Sequence, residues 1–444
     1  MKKTLIIAWI ICTPAIAQNA VQRQALSLPA CIELAVQNNA DLRNARLDIQ
    51  MADEDKASAL TNYFPKVSAM GSGFVGAKDL MRGEMEMPAL SAMMPGMGSI
   101  PLSMIKKGVV ATLTALQPLY AGGQIVNGNR LAAVQQEVRR LQMEMTEKDV
   151  RQNVQQFYWK LVSLRGNITT LDAVDEQLHE VHTLTENYVK AGVINRNDLL
   201  RVELKQQEVA SQRLTLNNGI ELVRMLLAQL CGADITTFDI ASENILEPQS
   251  PESAFIPADQ ALASREEVLL LDRSVTASSL QVRMERGKNL PSVAVGASGM
   301  YYNVMEKNQG NLVGLATVSI PISSWWSGSH AIRKARMKLE QDRTTLQDTQ
   351  EKLQIDILSA WNNLQEAYSQ IEIARRSVAQ ADDNLRLSRD QYDAGTLPMT
   401  DLLDAVTLYT QSHNSLLSAC ADYQSRLAEY RRKTTSKGLP ASND

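Results

Sequence analysis

The chain has 444 residues, a formal net charge of −4 and a composition that is 44% hydrophobic but only 5% aromatic. A slightly acidic chain carries no electrostatic footprint for nucleic acid. So few aromatics beside abundant Ala, Leu, Gln and Asn argue against one large globular core and for long, thin helical assemblies.

Residues 1–17 read as an export leader. Lys2 and Lys3 precede a short apolar run from Leu5 to Cys12, and Ala15-Ile16-Ala17 forms a small-x-small cleavage site before Gln18. Bulky Ile11 before Cys12 argues against a lipoprotein signal. Nothing later supplies the roughly 20 consecutive apolar residues of a membrane helix. Cys31, Cys231 and Cys420 remain beyond the leader. An odd number at scattered positions is no disulfide framework, and they read as small buried apolar residues.

The first repeat covers 18–232. It opens with a helix over 29–62. In "KVSAMGSGFVG" the period then falls to 2, with Val67, Ala69, Gly71, Gly73 and Val75 alternating with Lys66, Ser68, Met70, Ser72 and Phe74. This predicts strands over 66–76 and 109–119, about the length of a tilted membrane strand. Between them the Met-rich stretch 81–105 reads as a plain flexible or plugging loop. Its clustered thioethers could also take Cu(I), but no metal or cofactor is expected. A long helix follows over 124–190, with apolar columns at Val150, Phe157, Leu164, Leu171, Leu178 and at Val154, Leu161, Ile168. The sustained 3.5-residue period predicts coiled-coil packing. His179 and His182 beside Glu176 and Glu186 read as a wetted helix face rather than a metal site. A second helix runs over 197–230, and 233–257 reads as an irregular equatorial connector.

The second repeat covers 258–432, with a helix over 258–288, strands over 292–302 and 314–322, a long helix over 329–394 and a helix over 400–432. The long helix carries columns at Ile357, Leu364, Ile371, Val378, Leu385, Tyr392 and at Ala360, Ala367, Ala374, Ala381. Trp325 and Trp326 end the last strand, and residues 433–444 read as a disordered tail. The duplication is visible in "AGVINRNDLL" and "AGTLPMTDLL", which close the two long helices. Pro118 matches Pro321 at the offset of those turns. Pro65 matches Pro291 at a longer one, and the insertion around Met81 to Lys107 accounts for the difference. Each long helix would span roughly 100 Å at about 1.5 Å per residue. Two shorter stacked helices would return over the same span.

Four membrane strands cannot close a barrel, since the smallest barrels need about eight. Three copies would supply twelve. At this point "NYFPKVS", "NLPSVAV", "LQPLYAGG" and "SIPISSWW", taken with the leader, the duplicated unit and the two glycine turns, resemble the TolC family of outer-membrane efflux and secretion channels over nearly the whole chain. The resemblance implies a mainly α fold with membrane β, built as a homotrimer. A twelve-stranded barrel would be continuous with a periplasmic coiled-coil α-barrel. It implies no enzymatic activity, a place in the outer membrane with a long periplasmic extension, and partners in a periplasmic adaptor and an inner-membrane transporter. Gly192 and Gly395 would turn at the periplasmic tip, and Pro65, Pro118, Pro291 and Pro321 would mark the strand-end swivels. Asp401 and Asp404 match family carboxylates that ring the closed pore, and Tyr392 with Asp198 match a closed-tip latch. Leu397 stands where better-known members carry an arginine, and either Arg201 or nearby Arg196 is a candidate to replace it. The rival reading is an exported coiled-coil adaptor or scaffold.

Overall fold

The computed structural model describes residues 24–77, 81–86, 99–104, 107–241, 243, 245, 247–304, 307–322 and 324–435. The expected leader 1–17, most of the Met-rich stretch and the tail beyond 435 lie outside the described residues. The chain divides into two compact units. Of the described residues, one takes in those within 24–44, 145–265 and 353–435, and the other those within 45–144 and 266–352.

The second of these units carries the sheet. Strands β2 (Lys66–Val75), β5 (Lys107–Ala121), β7 (Ser292–Val304) and β8 (Lys307–Ser319) pair antiparallel in the order β2-β5-β7-β8. Directly opposite residues share a face. The register therefore gathers Val67, Ala69, Leu113, Ala115, Ala297 and Leu312 on one face. Ser68, Ser72, Thr112, Thr114, Ser298 and Gln309 fall on the other, mixed with Met70, Val110, Met300 and Val313, and there the Thr114 and Ser298 hydroxyls meet at 3.0 Å. The apolar face is bare: Val67 is 65% exposed and Leu312 76%. Among the described residues neither edge strand, β2 or β8, has an outer partner. Pro118 sits at a register shift in β5, where Leu119 is left unpaired. A residue without an N–H inside a central strand needs such a bulge.

The expected loop between the first two strands contains a hairpin of its own, β3 (Met81–Glu86) with β4 (Ser99–Met104), in the register Met81↔Met104 to Glu86↔Ser99. The alternation in "MRGEME" carries it, a period hidden by the stretch's Gly and Pro content. The last strand starts earlier than 314 and the following helix earlier than 329. Trp325 and Trp326 therefore fall in a helix rather than at a strand end.

The helices are α1 (Leu28–Asn38), α2 (Ala40–Leu60), α3 (Gln124–Lys190), α4 (Arg196–Leu230), α5 (Ala258–Ala263), α6 (Glu266–Gly287), α7 (Ser324–Asp393) and α8 (Met399–Thr434). Two expected single helices are broken. Asn39, buried at φ −58° and ψ 136°, accepts from Asp41 N at 2.9 Å and donates to Leu230 O at 3.0 Å, capping α2. Ser264 and Arg265 part α5 from α6, and Arg265 reaches Asp356 at 3.1 Å. Burial would raise the Asp356 carboxyl, but hydrogen bonds from Lys433 and Arg265 outweigh it and hold the group below its ordinary range. The helix α8 runs on to buried Thr434, so residues 433 and 434 belong to it and not to a tail.

In the other unit the heptad columns form the core. Ile357, Leu364, Ile371, Leu385 and Tyr392 of α7 are buried, as are Ala360, Ala367, Ala374 and Ala381. In α3 the columns drift at Phe157 and Leu164, which are half-buried while Tyr158 and Leu161 are fully buried. Each large aliphatic side chain withdrawn from water contributes about 2 kcal/mol. The connector is less irregular than its composition suggests. It holds a strand, β6 (Phe238–Ile240), parallel to β1 (Gln24–Leu26), and a 3-10 turn at Pro251–Ala254. Arg224 anchors it by donating to Ile235 O (2.6 Å) and Phe238 O (2.9 Å), and Tyr423 by donating to Gln249 O at 2.5 Å.

Candidate functional site

The two long helices end alike. Gly192 closes α3 at φ +73° and Gly395 closes α7 at φ +71°. At the first turn Val193 N donates to Tyr188 O (2.9 Å) and Gly192 N to Val189 O (3.0 Å). At the second, Thr396 N donates to Gln391 O (2.9 Å) and Gly395 N to Tyr392 O (2.9 Å). This double closure satisfies the last carbonyls of a helix and requires a left-handed residue where each glycine stands. The helices that follow start without a side-chain cap, at Asn195 and Pro398. Asp198 and Asp401 supply negative charge in those first turns, where the helix dipole favours it.

Four helices converge behind the turns. Leu171, Leu178 and Val181 of α3 and Val202 of α4 pack with Tyr392 of α7 and with Met399 and Leu402 of α8. Leu397 joins this apolar cluster from the second turn. Tyr392 is 6% exposed, and its hydroxyl lies 3.4 Å from Thr185 Oγ1. Thr185 spends its own proton on Val181 O at 2.6 Å, so Tyr392 is the donor to it. The expected partner of Tyr392, Asp198, is thus replaced by Thr185 in the hydrogen bond. Asp198 acts at longer range: burial raises the Tyr392 phenol, and the Asp198 charge adds to the shift. The reason is the heptad. Thr185 continues the Leu171, Leu178 column and meets Tyr392, which ends the column on α7. A lone hydroxyl closing an apolar column was the sequence clue to this pair. Replacing Thr185 by Val keeps the shape and orphans the phenol, so it should cost about 1–2 kcal/mol. Adding Tyr392→Phe should recover most of that loss in the same thermal unfolding measurement.

Arg201 is exposed and makes no ion pair among the described residues, so the expected pair with a carboxylate is not made within one chain. Asp401 and Asp404 are exposed on one face of α8, and neither meets a cation among the described residues. Side-chain pairs that bridge helices here include Arg389 with Glu180, Arg213 with Asp172 at 2.6 Å, His413 with Asp382 at 2.8 Å, and His182 with Glu203 at 3.7 Å. None of these was singled out in the sequence, because pairs between distant helices leave no local spacing. In the sheet unit, Pro65 precedes β2, Pro118 lies in β5, Pro291 precedes β7 and Pro321 follows β8. The register places all four at one end of the sheet.

An open antiparallel sheet with one bare apolar face, together with coiled-coil helices closed by matched glycine turns, fits a membrane channel protein. The chain belongs to the outer membrane efflux protein family, whose model matches residues 31–233 and 258–432. It is similar to the outer membrane efflux protein BepC of Brucella suis biovar 1 (strain 1330), with 24% identity over 387 residues, covering 85% of this chain and 78% of that one. It is also similar to the proteases secretion protein PrtF of Dickeya chrysanthemi, with 22% identity over 418 residues, covering 89% and 85%. The Campylobacter jejuni CmeC outer membrane channel shares the fold at a TM-score of 0.75 and 15% identity, over 100% of this chain and 96% of that one. The protein is an outer-membrane channel for efflux or secretion, and the adaptor or scaffold reading is set aside.

Proposed function

We propose that three copies of this chain close a twelve-stranded barrel in the outer membrane, continuous with a helical barrel in the periplasm. The bare apolar sheet face and its two unpaired edges carry this reading. Lipid accepts the first, and only pairing with further strands satisfies the second. Exposed Leu204 on α4 and Ile355 and Leu387 on α7 give the helices apolar surface that neighbouring copies would cover. The glycine turns then form the periplasmic tip, which docks to a periplasmic adaptor and an inner-membrane transporter in a tripartite efflux or type I secretion assembly. The pump supplies the energy and the channel supplies the path. The four prolines at one end of the sheet serve as swivels between strand and helix. At the tip, Asp401 and Asp404 of three copies ring the pore. Tyr392, bonded to Thr185 with the Asp198 charge acting on it at longer range, and Arg201, reaching a carboxylate of a neighbouring copy, hold it closed.

The test is mass determination in detergent together with planar-bilayer recording. A heat-modifiable trimer with discrete, cation-preferring currents is expected. A soluble monomer that never inserts would rule the assembly out.

A further inference from the structure

Cysteine spacing shows no framework, yet the fold brings two of the cysteines together. Cys31 lies on α1 and Cys231 caps the end of α4, at positions 200 residues apart, and both are wholly buried. The Cys231 thiol donates to the Cys31 carbonyl oxygen at 3.5 Å. The surrounding backbone fixes this approach. Asn39 binds Leu230 O at 3.0 Å on one side. On the other, Gly232 turns at φ +62°, where an added Cβ would lie 2.7 Å from the Asn38 Cβ. The end of α4 is therefore packed against the end of α1, and from there Cys231 reaches back to the Cys31 carbonyl.

An outer-membrane protein folds after export, in a compartment where disulfides form and persist. We propose that Cys31 and Cys231 are a modification site, joined as a disulfide in the mature channel. The step needs an incoming disulfide, that of a thiol oxidoreductase in the same compartment. One cysteine thiolate attacks a sulfur of that disulfide and releases a thiolate. The second cysteine attacks the mixed disulfide and releases the other. The two protons end on the released thiols, and the two electrons reduce the incoming disulfide.

The timing follows from burial. Both thiols are wholly buried, so in the closed core an incoming disulfide reaches neither sulfur. The bond forms while the chain is still folding and then locks the first helix onto the end of α4. Bridges that close long loops constrain the unfolded chain most. Cys420 on α8 is also buried, its thiol pushed up to about 11 by burial, and it serves as an internal control.

The experiment uses the full-length exported protein extracted in detergent. It is unfolded in the presence of a maleimide that caps free thiols, then digested without reductant and mapped by mass spectrometry. The expected result is one linked peptide pair holding Cys31 and Cys231, released by reduction, with the maleimide on Cys420. Maleimide on all three cysteines, or a bridge that includes Cys420, would overturn the inference. The trimer is weighed on the same sample, so a missing bridge in an intact trimer refutes the disulfide and leaves the channel reading untouched.

Discussion

Gly287→Val is expected to abolish the heat-modifiable trimer, and Gly287→Ala to reduce it sharply. Gly287 ends α6 and faces Gly122, the residue that leads from β5 into α3. A Cβ on Gly287 would lie 2.3 Å from the Gly122 carbonyl oxygen, and a Cβ on Gly122 would lie 2.1 Å from that of Gly287. Both obstacles are backbone, so no rotamer change relieves them. Overpacking of this kind costs about 1–3 kcal/mol even where neighbours can yield. Gly122 is also held at φ +60°, which adds about 1–2 kcal/mol for any side chain. The turn glycines provide the contrast. Around Gly192 and Gly395 an added Cβ meets nothing within 4 Å, so alanine there carries the dihedral cost alone. Trimer yield and thermal midpoint should therefore fall in the order Gly192→Ala, Gly287→Ala, Gly122→Ala. A wild-type midpoint for Gly287→Ala would show that the strand-to-helix junction has room for a side chain.

How much of this was legible depends on the length of each pattern. The α7 columns recur at every seventh position from Ile357 to Tyr392, and no strand or loop sustains that period. The alternation in β2 was equally plain. Single-residue events were not. Asn39 breaks a helix whose apolar pattern continues on both sides, and its reason for doing so is the distant carbonyl of Leu230. The pairing of β1 with β6 joins three residues to three, too few to show any period. At the turns the glycines and Tyr392 could be read from the chain, because a helix end and a heptad column are local features. Thr185 could have been found as the polar member of its column. The meeting of Cys31 with Cys231 could not, since sequence spacing carries no information about which cysteines become neighbours.

Asp401→Asn combined with Asp404→Asn is expected to lower the cation preference of single-channel currents roughly tenfold, equivalent to about 1.4 kcal/mol in the energy of a cation at the ring. The two carboxylates are exposed on one helix face and unneutralised among the described residues, so three copies would collect their full charge. Like charges about 4 Å apart interact by about 4 kcal/mol at an effective dielectric constant near 20, which is ample for an effect of this size. A purely local role makes a different prediction. Asp401 lies in the first turn of α8, where its charge offsets the helix dipole and is worth about 0.3–1 kcal/mol of stability. If that is all it does, the double variant unfolds slightly earlier and conducts as before. Asp198→Ala with Arg201→Ala separates the latch from the ring in the same recordings. Losing the latch should raise the conductance of the closed channel without touching selectivity, whereas losing the ring should change selectivity even in channels that stay closed at rest. Unchanged currents in both double variants would move the constriction away from the glycine turns.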